Sequence, residues 1–302
     1  MSGAAELERV YSAIEEAAAL VDVPCSRDKV LPVLTAYGEA LAEAGIGFGV
    51  LSGERSAGEL DYTMTVSPSV NDPYGVALAN GLVAETDHPV GALLSDLRER
   101  LSINDHLIDC GVVGGFKKTL AHFPQNMQKV SDLADIPSMP HAVAANASFF
   151  ARYDLDKVAM IAIDYGRRTM NLYFQRPSEP LEQKTLQTML GDCGLPAPSR
   201  RALEFAQRAF RVNITLSWDT SRIPRIALAQ FPARGLDPSA LSDRVEPRVE
   251  RLMGEAPYTY AGDRINLLGL KWSGSGEAVE FVSYYQLSPI QQRMMVVQGA
   301  DS

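Results

Sequence analysis

The sequence predicts an α+β fold in which a ten-stranded antiparallel β-barrel is built from five repeats of helices followed by a strand pair, with the helices outside. The second strands of the five pairs recur at a nearly constant period. Their marker residues Asp61, Lys118, Arg167, Arg225 and Val279 are 57, 49, 58 and 54 positions apart. Successive antiparallel pairs of this kind can remove their exposed edges by closing into a barrel.

The first repeat begins with two helices and ends with a strand pair. Residues 5–21 place apolar side chains on one helical face, and Ser26 is a suitable N-cap for a second helix that ends near Gly45. A turn rich in Gly and Ser then joins the strand Phe48–Ser52 to the strand Glu59–Val66, in which polar and apolar residues alternate.

The later repeats follow the same order. The predicted helices are Pro73–Leu82, Val90–Leu101, Met127–Ala134, Pro140–Tyr153, Leu181–Cys193, Ser199–Arg208, Pro238–Gly254 and a closing helix Pro289–Gln298. The predicted strands are Leu107–Val113, Phe116–Phe123, the two strands of Val158–Phe174, Phe210–Trp218, Pro224–Phe231, Ile265–Trp272 and Ala278–Leu287. No linker rich in Pro or Gly divides the repeats, so residues 1–302 are expected to form a single domain.

The third strand pair, Val158–Phe174, indicates which faces point inward. After a turn at residues 164–166, its second strand alternates between Arg167, Thr169, Asn171 and Tyr173 on one face and Arg168, Met170, Leu172 and Phe174 on the other. The helices are expected to cover the apolar faces. The polar faces must then line the lumen, and such a barrel is wide enough to enclose a ligand-sized cavity.

Three cations, Lys118, Arg167 and Arg225, are expected to project into this lumen from different strand pairs. The polar residues expected to line the same space are Thr63, Thr169, Asn171, Arg211 and Asn213. Buried cations without matching carboxylates are costly unless an anion neutralises them. A diphosphate meets that need, because its oxygens suit the donor geometry of arginine.

The remaining lumen positions are apolar or aromatic. They are Met160, Tyr173, Phe210, Ala229, Phe231, Leu268 and Tyr284. A cavity with one cationic and one aromatic side suits a ligand with a diphosphate head and a hydrocarbon tail, and aromatic faces can shield a carbocation.

Two interpretations of Asp61 stay open. Its carboxylate can hold Mg²⁺, which prefers one or two carboxylates plus substrate phosphates. It can equally form a salt bridge with a nearby arginine of the lumen. Lys117 alternates outward relative to Lys118 and is expected to be solvated.

Other chemistries lack support. Segment 114–119 lacks the spacing of a P-loop, the four histidines have no metal-ligand spacing, and no G-x-S-x-G occurs. A net charge of −9 argues against nucleic-acid or anionic-membrane partners. Three scattered cysteines, the absence of signal-peptide features and the absence of a membrane-spanning run predict a cytoplasmic protein.

Several segments closely resemble one protein family. They are Glu59–Asp61, Gly114–Thr119, Ile136–Pro140, Phe150–Val158 and Asn171–Phe174. In these segments the chain is similar to the ABBA, or PT-barrel, family of soluble bacterial aromatic prenyltransferases, and in particular to the naphthol geranyltransferase type. The resemblance covers almost the whole chain, and it implies a ten-stranded barrel of ααββ units, in agreement with the repeat.

The resemblance also implies roles for individual residues. Lys118, Arg167 and Arg225 become the catalytic cations that contact the donor diphosphate with Asn171, and Asp61 matches a magnesium-binding aspartate. Thr63 and Thr169 lie near these contacts, and the set of residues expected to bind the donor diphosphate also includes Arg211 and Asn213. The positions that match the prenyl and acceptor pocket are Leu120, His122, Met160, Tyr173, Phe210, Ala229, Leu268, Tyr284 and Gln291.

The chain departs from the family pattern at several of these positions. Arg167 replaces a lysine, and two aromatic residues are replaced by Leu120 and His122. Asn213 stands where the relative has a tyrosine that binds diphosphate, Glu280 where it has a lysine, and Arg211 where it has a serine. Arg211 is expected to compensate for the charge that is missing at Glu280.

The expected function is therefore the transfer of a dimethylallyl or geranyl group from its diphosphate to a hydroxynaphthalene, phenol or phenazine-like acceptor, by electrophilic aromatic substitution, in secondary metabolism. The alternative is a barrel that binds a prenyl diphosphate without reacting it. Magnesium is a candidate cofactor but not a requirement, and no organic cofactor is expected. The partners are the two substrates, and the protein is expected to be a monomer.

Overall fold

Ten long strands form a closed antiparallel barrel in the computed structural model, which describes residues 3–53, 58–176, 179–236, 245–289 and 291–292. The barrel strands are β1 Ile46–Leu51, β2 Asp61–Thr65, β3 Asp105–Gly111, β4 Gly115–His122, β6 Lys157–Asp164, β7 Thr169–Gln175, β8 Arg211–Ser217, β9 Arg225–Ala229, β11 Ile265–Ser273 and β12 Gly276–Gln286. Two short strands, β5 Gln128–Lys129 and β10 Ala233–Arg234, pair with β6 and β11.

Two pairings close the barrel. Strand β12 pairs with β1, so that Ile46 lies opposite Gln286, and β11 pairs with β9 as well as with β12. Each barrel strand therefore has a hydrogen-bonded neighbour on both sides, and no edge is left open. The predicted fold class is confirmed.

The five strand pairs all turn at the same end of the barrel, which we call the turn end, because each pair is antiparallel and the pairs follow one another around the sheet. The described residues of these turns are 52–53 and 58–60, 112–114, 165–168, 218–224 and 274–275. At the opposite end, which we call the connection end, the chain leaves one pair and reaches the next through helices.

The helices pack around the sheet in the predicted order. They are α1 Gly3–Leu20, α2 Arg27–Ala36, α3 Pro73–Ala79, α4 Leu93–Arg100, α5 Val130–Ala134, α6 Ala142–Ala145, α7 Ala147–Arg152, α8 Gln183–Asp192, α9 Arg200–Ala206 and α10 Pro247–Glu255. The predicted helix Pro140–Tyr153 is interrupted at Asn146. Residues 237–244 and most of the closing helix Pro289–Gln298 lie outside the described residues. No described helix is both long and apolar enough to cross a membrane.

The polarity of the barrel is the reverse of that of a packed β-barrel. The outward faces of the strands are buried against the helices, and Phe48, Tyr62, Phe174, Trp272 and Phe281 are among the largest fully buried side chains. The inward faces are only partly buried, as the alternating exposure along β2 and β7 shows. The main hydrophobic core therefore lies between sheet and helices, which leaves the lumen free for a ligand.

Candidate active site

The lumen contains a cavity of about 600 Å³, and all ten barrel strands contribute to its lining. Both polar and apolar side chains face it. The size and the mixed lining are those of a small-molecule site, in which a few placed polar groups orient a ligand against apolar walls.

Lys118 lies in this cavity as predicted, but it is already paired with carboxylates. Its Nζ atom is 2.9 Å from Asp109 Oδ2 and 3.9 Å from Asp164 Oδ2. The charge of Asp109 raises the pKa of Lys118 further than burial lowers it. The expectation that the lumen cations lack matching carboxylates is therefore wrong for Lys118, since Asp109 and Asp164 share its face of the sheet.

Lys117 also lines the cavity, which corrects the prediction that it points outward. Along the β3–β4 pairing, Asp109 lies opposite Lys118 and Cys110 lies opposite Phe116, so Lys117 is the extra residue of a β-bulge. A bulge interrupts the inward and outward alternation of a strand. Both lysines can therefore reach the lumen.

The bulged lysine forms an ion pair with Asp61. Lys117 Nζ donates a hydrogen bond to Asp61 Oδ1. Burial and the charge of Asp109 raise the pKa of Asp61 to about 6, while Lys117 and Lys118 oppose that shift. Of the two interpretations left open for Asp61, the structure shows a salt bridge, and its partner is Lys117 instead of an arginine.

Arg225 is held near the turn end by a hydrogen-bond network. Its Nε donates to Thr215 Oγ1 at 2.9 Å, and its Nη2 donates to Asn171 Oδ1 at 3.4 Å. Thr215 Oγ1 in turn donates to Asn171 Oδ1 at 2.7 Å. These neutral partners orient the guanidinium without cancelling its charge.

Arg167 lies at the mouth of the cavity, in the turn that precedes β7 and not in a strand as predicted. Its backbone N–H donates to Asp164 Oδ1 at 2.9 Å, while its side chain is exposed. Within the described ranges, neither Arg167 nor Arg225 has a carboxylate within 4 Å. The turn end therefore keeps two arginines available for an anion.

A third ion pair of the lumen was not predicted. Lys271 Nζ is 2.6 Å from Glu280 Oε1, between β11 and β12. Burial works against the charged form of Glu280, but Lys271, Arg211 and Lys118 together lower its pKa below the usual value. The sequence identified Glu280 as a departure from the family pattern. Lys271 was missed because the mostly apolar sequence of β11 gives no clear alternation.

Arg211 lines the cavity near the connection end and lies among aromatic rings. Its guanidinium carbon is 5.0 Å from the ring centroid of Tyr173 and 5.3 Å from that of Phe210. Phe210 stacks on Phe231 with centroids 4.0 Å apart. Asn213, the next inward residue of β8, also lines the cavity.

The structure brings most of the other predicted positions to the cavity. Those that line it are Thr63, Leu120, Met160, Asn171, Tyr173, Tyr284 and Gln291. Those that do not are Thr169, Phe210, Ala229, Phe231, Leu268 and His122.

Three of the excluded positions have a clear physical reason. Leu268 packs in the core between sheet and helices, and the expected lumen position belongs to Leu267. Phe231 follows β9 and is 39% exposed. His122 lies at the end of β4, where its Nδ1 is 3.7 Å from Asp105 Oδ2.

A ten-stranded barrel of helix-and-strand-pair units, with arginines at one end of its lumen and aromatic rings along its wall, defines the class of barrel prenyltransferases. Comparisons with known proteins agree. The family model described as aromatic prenyltransferase Orf2 matches residues 5–296.

Three Streptomyces relatives are similar to the chain over nearly its full length. The chain is 42% identical over 298 residues to 5,10-dihydrophenazine-1-carboxylate 9-dimethylallyltransferase of Streptomyces anulatus, covering 98% of each chain. It is 41% identical over 288 residues to flaviolin linalyltransferase of Streptomyces virginiae, covering 95% of this chain and 94% of the relative. It is 40% identical over 285 residues to the furaquinocin biosynthesis prenyltransferase of Streptomyces sp. (strain KO-3988), covering 94% and 91%.

The chain belongs to the aromatic prenyltransferase Orf2 family and is an enzyme that transfers prenyl groups to aromatic acceptors. The resemblance stated from the sequence is thereby confirmed. The interpretation as an enzyme is therefore favoured over that of a barrel that only binds a prenyl diphosphate.

Proposed function

We propose that this enzyme ionises dimethylallyl or geranyl diphosphate with the diphosphate at the turn end of the lumen, and that the allyl cation is captured by an electron-rich ring nearer the connection end. Arg225, Arg167 and Lys118 contact the diphosphate, with Asn171 and Thr63 as neutral neighbours. The observation that carries the proposal is the pair of arginines at the turn end without carboxylate partners in the described part of the chain.

The proposed roles follow from where charge develops. When the allylic C–O bond breaks, the diphosphate leaves with the electron pair and gains negative charge. A cation–anion contact of about 4 Å contributes about 4 kcal/mol at an effective dielectric constant of about 20. Groups oriented before the reaction stabilise that charge without reorganising, and Thr215 and Asn171 orient Arg225 in this way.

The middle of the lumen suits the prenyl chain and the acceptor. Leu120, Met160, Tyr173, Val282 and Tyr284 line it. These side chains limit water, which would otherwise quench the cation, and the aromatic faces shield the carbon centre. A ring carbon of the acceptor forms the new C–C bond, and the ring then loses a proton to water.

Magnesium has no assigned step in this proposal. Asp61 already forms an ion pair with Lys117, and no group of three carboxylate, histidine or cysteine side chains suited to a metal occurs in the described ranges. Since Mg²⁺ needs only one or two carboxylates plus substrate phosphates, it is the Lys117 ammonium beside the Asp61 carboxylate that supports a metal-independent reaction. We propose that the Lys117 ammonium supplies positive charge beside the diphosphate instead.

The acceptor class is proposed from both the lumen and the relatives. Two relatives are named for a dihydrophenazine carboxylate and for flaviolin, which are both electron-rich ring systems. A cavity of about 600 Å³ has room for a ring system of that size beside a prenyl chain.

We also propose a cytoplasmic monomer. The barrel closes on itself through its own ten strands, so the lumen needs no strand from a second subunit, which supports a monomer. The free thiols of Cys25, Cys110 and Cys193 support a reducing compartment. Light scattering over a range of concentrations measures the oligomeric state directly.

The test of the proposal is to incubate the protein with either diphosphate and 1,4-dihydroxynaphthalene, and to follow pyrophosphate release and product mass. Prenylated product with matching pyrophosphate is expected. Replacing Arg225 by Gln should lower kcat by about 100-fold or more while the unfolding midpoint changes little, since removing a preoriented charge donor costs about that much. Unchanged turnover in this variant would refute the leaving-group role, and tight donor binding without release in the native protein would favour the carrier.

A further inference from the structure

Arg211 is separated from the turn end by the length of β8. Arg225 bonds to Thr215, whereas Arg211 lies four residues earlier on the same strand, which is about 13 Å at the rise of an extended strand. The Arg211 side chain does not reach toward Thr215, because it lies over the rings of Tyr173 and Phe210. One diphosphate held by Arg225 is therefore not placed to contact Arg211.

Two buried polar atoms at Arg211 and its neighbour Asn213 lack hydrogen-bond partners among the residues that the structure describes. These atoms are Nε of Arg211 and Oδ1 of Asn213, a residue that is 9% exposed. In the described ranges no carboxylate lies within 4 Å of the Arg211 guanidinium, and the nearby Glu280 is bound to Lys271 at 2.6 Å. Arg211 and Asn213 both line the cavity, two residues apart along β8.

Polar groups buried without partners are costly, and a ligand bound to the Arg211 guanidinium and the Asn213 amide would offset part of that cost. Arginine donates in a planar fork that matches a carboxylate, and Asn213 Oδ1 accepts from a hydroxyl or an N–H group. The rings of Tyr173 and Tyr284 also line this region, so an aromatic ring can pack beside them.

We propose that Arg211 binds a carboxylate on the aromatic acceptor, so that the preferred acceptors are electron-rich aromatic acids whose ring hydroxyl or N–H donates to Asn213. This inference rests on the proposed function and specifies its acceptor. It replaces the sequence-based assignment of Arg211 and Asn213 to the donor diphosphate. The carboxylate at Arg211 turns the opposite edge of the ring toward the turn end, where the allyl cation forms.

The first experiment needs no variant. The native protein is titrated with 1,4-dihydroxy-2-naphthoate and with the corresponding primary carboxamide, which has nearly the same shape but no charge, and both are then tried as acceptors with geranyl diphosphate. The acid is expected to bind about tenfold tighter or better, which is the range for a hydrogen bond to a charged group. Equal affinities would overturn the proposal.

The second experiment compares Arg211→Met, Arg211→Lys and the control Arg208→Met, which changes an exposed arginine three residues away. Arg211→Met should bind the acid and the amide within about twofold of each other, with unchanged affinity for inorganic pyrophosphate, whereas Arg211→Lys should retain part of the preference and Arg208→Met all of it. A loss of pyrophosphate affinity in Arg211→Met that matches or exceeds the loss for the acid would instead make Arg211 a donor contact.

The two proposals can fail separately. Prenylation of the amide by the native protein tests the transfer reaction without using Arg211. If neither compound is prenylated but the acid preference depends on Arg211, the donor or reaction assignment is wrong while the acceptor inference stands. If both are prenylated with equal KM, the inference alone is wrong.

Discussion

One extra residue in β4 sets the charge pattern at the turn end. The bulge lets Lys117 and Lys118 both reach the lumen, where Lys117 binds Asp61 and Lys118 binds Asp109. With strict alternation, only one of the two lysines would face the lumen, and it would be the only lysine available to both Asp61 and Asp109. The bulge therefore places a second positive charge close to the diphosphate site.

Replacing Lys117 by Met is expected to change the metal response of the enzyme. The native enzyme should keep its activity in excess chelator. The variant should lose about tenfold in kcat without metal and recover part of it with Mg²⁺, because a carboxylate freed of its ammonium, together with phosphate oxygens, is the environment that this ion prefers. The measurement is kcat against magnesium concentration.

Lys129→Met is the matched control, since Lys129 is exposed on β5, away from the cavity lining. It should behave as the native enzyme does. Loss of native activity in chelator would contradict the prediction and make Asp61 a magnesium ligand.

Alternation predicted the residues of the site where the strands are regular. Lys118, Asn171, Tyr173 and Arg225 follow from a period of two. Lys117 does not, because only the register of two paired strands reveals a bulge. The carboxylates at Asp109 and Asp164 were readable from their strands, but their distance from Lys118 depends on how neighbouring strands align.

At the scale of elements, β1 leaves space in the lumen because two of its inward residues are glycines. Gly47 and Gly49 are inward residues of this strand and line the cavity. A Cβ atom on Gly49 would meet Val282 Cγ2 at 3.6 Å, which is ordinary contact, whereas one on Gly47 would meet Val282 Cγ1 at 3.0 Å. Space beside β1 is therefore available to a ligand, and Gly49 is the position where it can be filled without strain.

Gly49→Val is expected to shift the donor preference toward the shorter chain. The added methyl groups occupy lumen space, while a β-branched residue suits a strand. The ratio of kcat/KM for geranyl over dimethylallyl diphosphate should fall by about tenfold, and by less in Gly49→Ala. Equal losses for both donors, with an unchanged unfolding midpoint, would mean that the prenyl chain does not lie beside β1.

The sequence predicted which segments form elements better than it predicted which way they face. All ten barrel strands were identified, because turns and alternation mark them. In β11, however, the segment Ile265–Leu270 contains four apolar residues, one asparagine and one glycine, a pattern that does not alternate clearly. The sequence therefore assigns Leu268 inward, whereas Leu267 lines the cavity. The pairing with β12 decides which of the two faces inward.

At the scale of the whole molecule, stability and catalysis use opposite faces of the same sheet. Trp272 is fully buried on the outward face of β11, and its Nε1 donates to Glu277 Oε2 at 2.9 Å. Its chain neighbour Lys271 faces the cavity. Changes on the outward face should therefore affect folding far more than the chemistry in the lumen.

Trp272→Ala is expected to lower the free energy of unfolding by about 3–5 kcal/mol, the usual cost of deleting a large buried aromatic side chain. Trp272→Phe should cost less, and Lys157→Ala, at an exposed residue of β6, should stay within about 0.5 kcal/mol. Urea unfolding measures the three values. If Trp272→Ala kept its free energy of unfolding but lost kcat at low temperature, the outward face of β11 would affect catalysis directly and the prediction would be wrong.

The closure between β1 and β12 also has a consequence for biosynthesis. Ile46 pairs early with Met64 of β2, but on its other side its partner is Gln286, which the ribosome adds 240 residues later. Until then, one border of the nascent sheet offers free backbone groups to any passing strand, which makes partly made chains prone to association. The lumen is enclosed only when β12 pairs with β1. A nascent chain that lacks β12 therefore cannot shield an allyl cation from water.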